Sequence, residues 1–117
     1  MSDRNILLFI DDALESIEAI ENYIDGITYE TFIEDRKTYS ATIREYIVIG
    51  EAISKTIDQL NREIPDFPWR AIKDFRNIVV HEYFGVDPRI VWDLSTIELH
   101  ALKEKLLYFK SLTTDNT

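Results

Sequence analysis

Apolar residues recur at helical spacing over the first 24 positions. Ile6, Ile10, Ala13, Ile17, Ile20 and Ile24 follow one another at intervals of 4, 3, 4, 3 and 4. At about 100° per residue they form one stripe, so the segment is predicted to be an amphipathic helix. Ser2 or Asp3 is placed to cap its start, and Gly26 to stop it. Asp11, Glu15 and Glu18 fall on the opposite face. Thr28 to Asp35 reads as a short helix or an irregular turn. A second long helix is predicted from about Arg36 to Ile64, where Tyr46, Gly50, Ile53, Ile57 and Leu60 repeat the stripe. A mid-helix glycine costs about 1 kcal/mol. Gly50 lies on the apolar stripe, so another helix is expected to cross close to it. Pro65 and Pro68 end this helix.

Pro68 is placed in the first turn of a third helix, Trp69 to about Phe84. Ala71, Ile72, Phe75, Val79 and Val80 give it an apolar face, and Gly85 is the expected C′ residue. Asp87 and Pro88 form an N-cap and N1 pair that opens a fourth helix. Its stripe continues through Leu99, Leu102, Leu106 and Phe109. The polar tail, 113–117, is expected to fray. No segment alternates as a strand does, and three Gly and three Pro leave little turn chemistry for one. The predicted fold class is all-α, an antiparallel four- to five-helix bundle. The 117 residues are read as a single domain, 1–117, without repeat, low-complexity tract or linker.

Composition narrows the function classes. Apolar residues make up 45% and charged residues 30%, as in a folded chain rather than a disordered one. No apolar run approaches the ~18 residues that cross a bilayer, and the N-terminus lacks the layout of a secretory signal. The absence of Cys excludes disulfides, thiolate zinc sites and a cysteine nucleophile. A cytoplasmic protein without membrane contact is expected. The net charge of −9 is concentrated in residues 1–35, which hold one base, Arg4, and ten acids. An acidic protein repels polyanions. Any nucleic-acid role therefore needs a local basic site away from this segment. The acidic face is either solvated surface or a dock for a basic partner.

Candidate chemistry gathers in Arg76-Asn77-Ile78-Val79-Val80-His81-Glu82-Tyr83. On a helix Asn77 and His81 (i, i+4) share one face, and Arg76 and Tyr83 (i, i+7) another. His81 falls in the last turn. Imidazole gives and takes protons near neutral pH. Guanidinium clamps phosphate through paired hydrogen bonds and stabilises charge that develops on it. Together, without a metal, they form a kit for cleaving the phosphodiester of RNA. The same spacing also suits a helix cap and an ion pair. Glu51, polar beside an apolar stripe, is placed to pair with Arg76 or Arg70 across the bundle. Trp69 and Trp92 suit packing better than base stacking, and His100 reads as a hydrogen-bonded packing residue. Asp11, Asp12 and Glu15 lack the histidine that would support a metal. His81-Glu82 begins like a zinc-protease motif, but position 85 is Gly. No metal or cofactor is expected.

Arg76-x4-His81-x-Tyr83 resembles the signature of the HEPN superfamily, which includes RNA-cleaving toxins. Pro68-Trp69-Arg70 precedes it, Val86-Asp87 follows it, and Ile49-Gly50-Glu51-Ala52 lies upstream. With these, nearly the whole chain resembles the HepT-like family, the toxin half of a two-gene module. The resemblance implies a helical bundle that dimerises and a metal-independent endoribonuclease that leaves a cyclic phosphate. It makes Arg76 and His81 the catalytic pair and Asn77 the residue that positions the arginine. The implied partner is a small nucleotidyltransferase antitoxin that attaches AMP to Tyr83. One chain offers few bases near His81: Arg70 and Lys73 for RNA, with Arg76 and Arg89. A homodimer would double them in one cleft. Two other readings remain: a non-catalytic module that docks a nucleotidyltransferase or a nucleotide, and a plain helical scaffold.

Overall fold

The computed structural model describes residues 2–82 and 85–114. Helix α1 (Asp3–Ile24) is capped by Ser2, whose hydroxyl oxygen accepts from the Asn5 N–H. Gly26, at φ +75°, turns the chain out of it, a conformation open to a residue without Cβ. Thr28 caps a short helix α2 (Tyr29–Glu34). Asp35 then closes α2 and opens α3 (Arg36–Glu63). Its two carboxylate oxygens accept from the Thr38 N–H at 3.2 Å and the Thr38 hydroxyl at 2.7 Å. The 28 residues of α3 span about 42 Å at 1.5 Å per residue, which accounts for most of the 46 Å long dimension.

Short connections fold the rest back on α3. Helix α4 (Trp69–His81) packs against it, and α5 (Pro88–Asp93) packs against α2. A π-helical turn (Leu94–Glu98) carries α5 into α6 (Leu99–Thr114), which lies against α1. The core is built from the apolar stripes: Ile10, Ile17 and Ile20 of α1, Ile43, Ile49, Ile53 and Leu60 of α3, and Leu106 of α6 are buried. Each such side chain contributes about 1.5–3 kcal/mol through the apolar surface it hides. Trp69 is fully buried, and its indole N–H donates to Ile64 O at 2.9 Å. Lys103–Glu21 (2.8 Å) and Lys110–Asp11 (2.7 Å) tie α6 antiparallel to α1. The fold is all-α, as the periodicity predicts. Among the described residues no helix is long and apolar enough to cross a membrane.

Four local expectations are corrected. The third helix ends at His81 rather than near Phe84, with Glu82 leaving helical geometry at φ −131°. Its last turn holds the β-branched run Ile78-Val79-Val80, of which Ile78 and Val80 are exposed. Weak propensity there is offset by burial only at Val79. Gly85 is therefore not the C′ residue, and its φ is not positive. Pro68 is the N-cap of α4 rather than part of its first turn. The fourth helix is interrupted: Ser95 and Thr96 donate their hydroxyls to Val91 O and Trp92 O. These bonds compete with the backbone ladder, and the Leu99 N–H reaches Leu94 O across five residues. Stripe positions also differ: Ile57 is half-buried where Thr56 is buried, and Ala71, like Val80, is exposed. Helix α6 runs to Thr114, and 115–117 lie outside the described residues.

The shared cap makes stability pH-dependent. The hydroxyl and N–H of Thr38 hold the Asp35 carboxyl below its usual range. Its contribution is therefore full above that range and is lost as pH falls through the lowered value. Asp35→Ala is expected to melt below wild type at pH 7, with the gap closing as pH falls below the ordinary carboxylate range. A gap independent of pH would contradict this capping role.

Candidate active site

The site is organised by the crossing of α4 over α3. Gly50 faces Arg76 where the two helices meet. A Cβ on residue 50 would collide with the Cβ and Cγ of Arg76, side-chain atoms close to the backbone that cannot swing away. The absent side chain thus lets α4 settle onto α3 with the Arg76 stem in the gap. From there the guanidinium reaches two partners. Its Nη2 donates to Glu51 Oε1 in an ion pair, and its Nη1 donates to Asn77 Oδ1 at 2.9 Å. Its Nε is buried and meets no hydrogen-bond partner among the described residues. The side chain as a whole keeps 27% exposure, so the guanidinium is fastened yet reachable.

His81 ends the same helix and is exposed. It lies five residues after Arg76, about 7.5 Å along the axis and about 140° around it. The two groups therefore leave α4 in different directions. Arg70, Asn77 and His81 recur at intervals of 7 and 4 and are all exposed on the outer face. Asp74 lies on that face too and offsets part of its positive charge. Lys73 is half-buried on the flank between the outer face and Arg76. Arg89 is engaged elsewhere: it sits 4.7 Å over the Tyr29 ring and pairs with Asp93 at 3.3 Å. Tyr83, the expected modification site, lies outside the described residues.

Several other expectations meet the structure here. Glu51 pairs with Arg76 and not with Arg70. Trp92 packs against Phe32 at 5.2 Å, half-buried, as a packing residue. His100 is not a packing residue: it is exposed and pairs with Glu104 at 3.1 Å, one register position off the buried Leu99 and Leu102. Among the described residues no group of three or more His, Asp or Glu side chains is arranged to hold a metal ion.

An apolar groove of about 490 Å³ beside the site has no counterpart in the sequence reading. It runs between α4 and the α5–π–α6 helix, lined by Tyr46, Phe75, Ile78, Ile90, Leu94 and Leu102 among others. Tyr46 forms its floor, edge-on to Phe75 at 5.6 Å, with its hydroxyl bonded to Ser95 Oγ at 2.7 Å. Burial pushes the Tyr46 phenol well above its usual pKa and keeps it neutral. The sequence signal for the groove is two isoleucines outside the predicted stripes, Ile78 and Ile90, which line it and are 50% and 52% exposed.

The fold and this crossing define an all-helical protein that carries a fixed guanidinium and an exposed imidazole on one helix. A family model described as Ribonuclease HepT-like matches residues 13–109, from within α1 to the last turns of α6. A protein of Thermococcus cleftensis named "probable ribonuclease HepT" is 37% identical over 97 residues, 83% of this chain and 88% of that protein. A Methanocaldococcus jannaschii protein named as a "putative RNase" is 32% identical over 94 residues, 80% of this chain and 78% of its own length. Another from the same organism, also named as a "putative RNase", is 32% identical over 105 residues, 90% of each chain. No solved structure matches the chain significantly. The chain belongs to the HepT-like ribonuclease family.

The close approach at Gly50 has a measurable consequence. Overpacking a filled contact costs about 1–3 kcal/mol, while alanine gains about 1 kcal/mol over glycine in a helix. Arg76 cannot yield near its own backbone, which puts the cost at the upper end. Gly50→Ala is expected to lose about 1–2 kcal/mol net in denaturant unfolding. A variant as stable as wild type would show that the helices are further apart.

Proposed function

We propose that this chain is an endoribonuclease that works without a metal, with Arg76 and His81 as its catalytic pair. The observation that carries this reading is the Arg76 guanidinium, fastened by Glu51 and Asn77 yet still open, on the helix that ends in an exposed His81. The ribonuclease names of the relatives support it. In the reaction the ribose 2′-hydroxyl attacks the adjacent phosphorus and the bond to the 5′-oxygen breaks. The products are a 2′,3′-cyclic phosphate and a 5′-hydroxyl. One proton must leave the 2′-oxygen and one must reach the 5′-oxygen, which is work for imidazole. Arg76 holds the phosphate and stabilises the charge that gathers on its oxygens. Asn77 keeps the guanidinium in place, while Arg70 and Lys73 contact the RNA backbone.

The working unit in this reading is a homodimer. Arg76 and His81 diverge by about 140° around α4, so a second copy is needed to bring both kinds of group to one phosphate. The exposed Ile78, Ile90 and Ile97 supply apolar surface for that contact. Two copies of Arg70, Lys73 and Arg76 then offset the distant acids of α1. We extend the reading to a toxin whose antitoxin is a nucleotidyltransferase that attaches AMP to the Tyr83 hydroxyl. A phosphate ester two residues from His81 would repel RNA by charge and bulk.

Two observations favour a second reading, a helical module that binds the nucleotidyltransferase or a nucleotide without cleaving RNA. The chain carries net charge −9 and its best phosphate clamp is already paired with Glu51.

Expression of the chain alone in bacteria separates the two. Wild type is expected to arrest growth and fragment RNA, while soluble, folded His81→Ala and Arg76→Ala do neither. Cleavage by either variant at the wild-type rate would overturn the assignment of that residue. A harmless wild type that still captures the nucleotidyltransferase would favour the binding module. With purified nucleotidyltransferase and ATP, mass spectrometry is expected to find one AMP per chain, absent in Tyr83→Phe. An unchanged adduct in that variant would move the modification elsewhere.

A further inference from the structure

We infer that Glu51 is the positioning residue for Arg76, and that together with Gly50 it sets the edge of the guanidinium a phosphate meets; this rests on the ribonuclease reading above. A guanidinium carries five N–H donors in a rigid plane. In this chain one Nη2 proton goes to Glu51 and one Nη1 proton goes to Asn77. The Nε proton is buried. A phosphate is therefore left with the remaining Nη protons, so the plane must be fixed for them to converge on one anion. Two independent features fix it. Gly50 receives the stem of the side chain, which sets where the guanidinium starts. The Glu51 carboxylate, one residue further along α3, sets its rotation.

The gain is preorganisation. An unfastened arginine must surrender its rotamer freedom each time it binds, and a misplaced donor loses catalysis steeply. Glu51 imposes that order before RNA arrives. It also makes the resting pair electrically neutral, so the clamp binds by geometry more than by charge. Removing Glu51 therefore leaves a freer, more attractive cation that is worse aimed. A positioning residue of this kind affects kcat rather than KM.

Cleavage by Glu51→Ala and Glu51→Gln tests this, each compared with wild type at a temperature where circular dichroism shows all three folded. Glu51→Ala is expected to lose about tenfold or more in kcat with KM unchanged or lower. Glu51→Gln keeps an oxygen acceptor at the same place and is expected to stay within about threefold of wild type. A folded Glu51→Ala with wild-type kcat, or a loss confined to KM, would overturn the proposal. An independent reading comes from the Arg76 Nε–Hε resonance in 15N-labelled protein. Slow exchange with water in wild type and fast exchange in Glu51→Ala support the clamp. Fast exchange in wild type overturns it whatever the activity. If wild type cuts no RNA while that resonance behaves as expected, the ribonuclease reading fails and the fixed orientation of Arg76 stands.

Discussion

The close crossing of α4 over α3 at Gly50 is the constraint on which the site depends. An arginine stem occupies the space that a side chain at position 50 would take. Everything specific about the guanidinium follows from that seat. Its Nε is closed off from water, its Nη2 reaches the carboxylate at the next position of α3, and its Nη1 reaches the neighbouring Asn77. A helix interior disfavours glycine, so Gly50 costs α3 stability and returns it as contact. The long α3 can bear that cost. It is held by α1 along one side, by Ile43, Ile49 and Ile53 in the core, and by the Asp35 cap at its start.

The rest of the architecture leaves α4 accessible. It packs against α3, while the side towards α5 and the π-helical turn is an apolar groove. The outer face carries Arg70, Asn77 and His81, and its last turn exposes Ile78 and Val80. A helix with a polar outer face and a bare apolar flank suits a surface at which another molecule completes the site. The π turn shapes that flank, because Ser95 bonds both the buried Tyr46 hydroxyl and the Val91 carbonyl. The acids, by contrast, crowd α1, which packs on α3 and α6.

The fold was legible where period and capping agree. The stripes of α1 and α6, the Asp87-Pro88 start and the glycine stop after α1 all read directly from residue type and spacing. What was not legible depended on competition between weak local preferences and tertiary contacts. The end of α4 falls at His81 because its last, β-branched turn buries only Val79 and leaves Ile78 and Val80 exposed. The π turn arose from two hydroxyls taking successive carbonyls, a choice that Ser and Thr leave open in any helix. The candidate site was legible as a set of residue types, and Gly50 hinted at the crossing. Its geometry was not, because the pairing of Glu51 with Arg76 rather than Arg70 is a matter of helix register. The groove was not legible because it exists only where α4 and the α5–π–α6 helix come together, a tertiary contact that the spacing of Ile78 and Ile90 within their own helices does not reveal.

A guanidinium already neutralised by Glu51, in a chain of net charge −9, makes a weak general attractant for RNA. The proposed cleavage therefore depends on geometry: a fixed clamp and a mobile proton brought to one phosphodiester. The most direct measurement incubates the purified chain with a defined single-stranded RNA in the presence of EDTA and determines the ends of the fragments. Metal-independent transesterification requires cleavage that EDTA leaves unchanged, with 2′,3′-cyclic phosphate on one fragment and 5′-hydroxyl on the other. Cleavage that EDTA abolishes, or fragments that carry a 5′-phosphate and a 3′-hydroxyl, would contradict it.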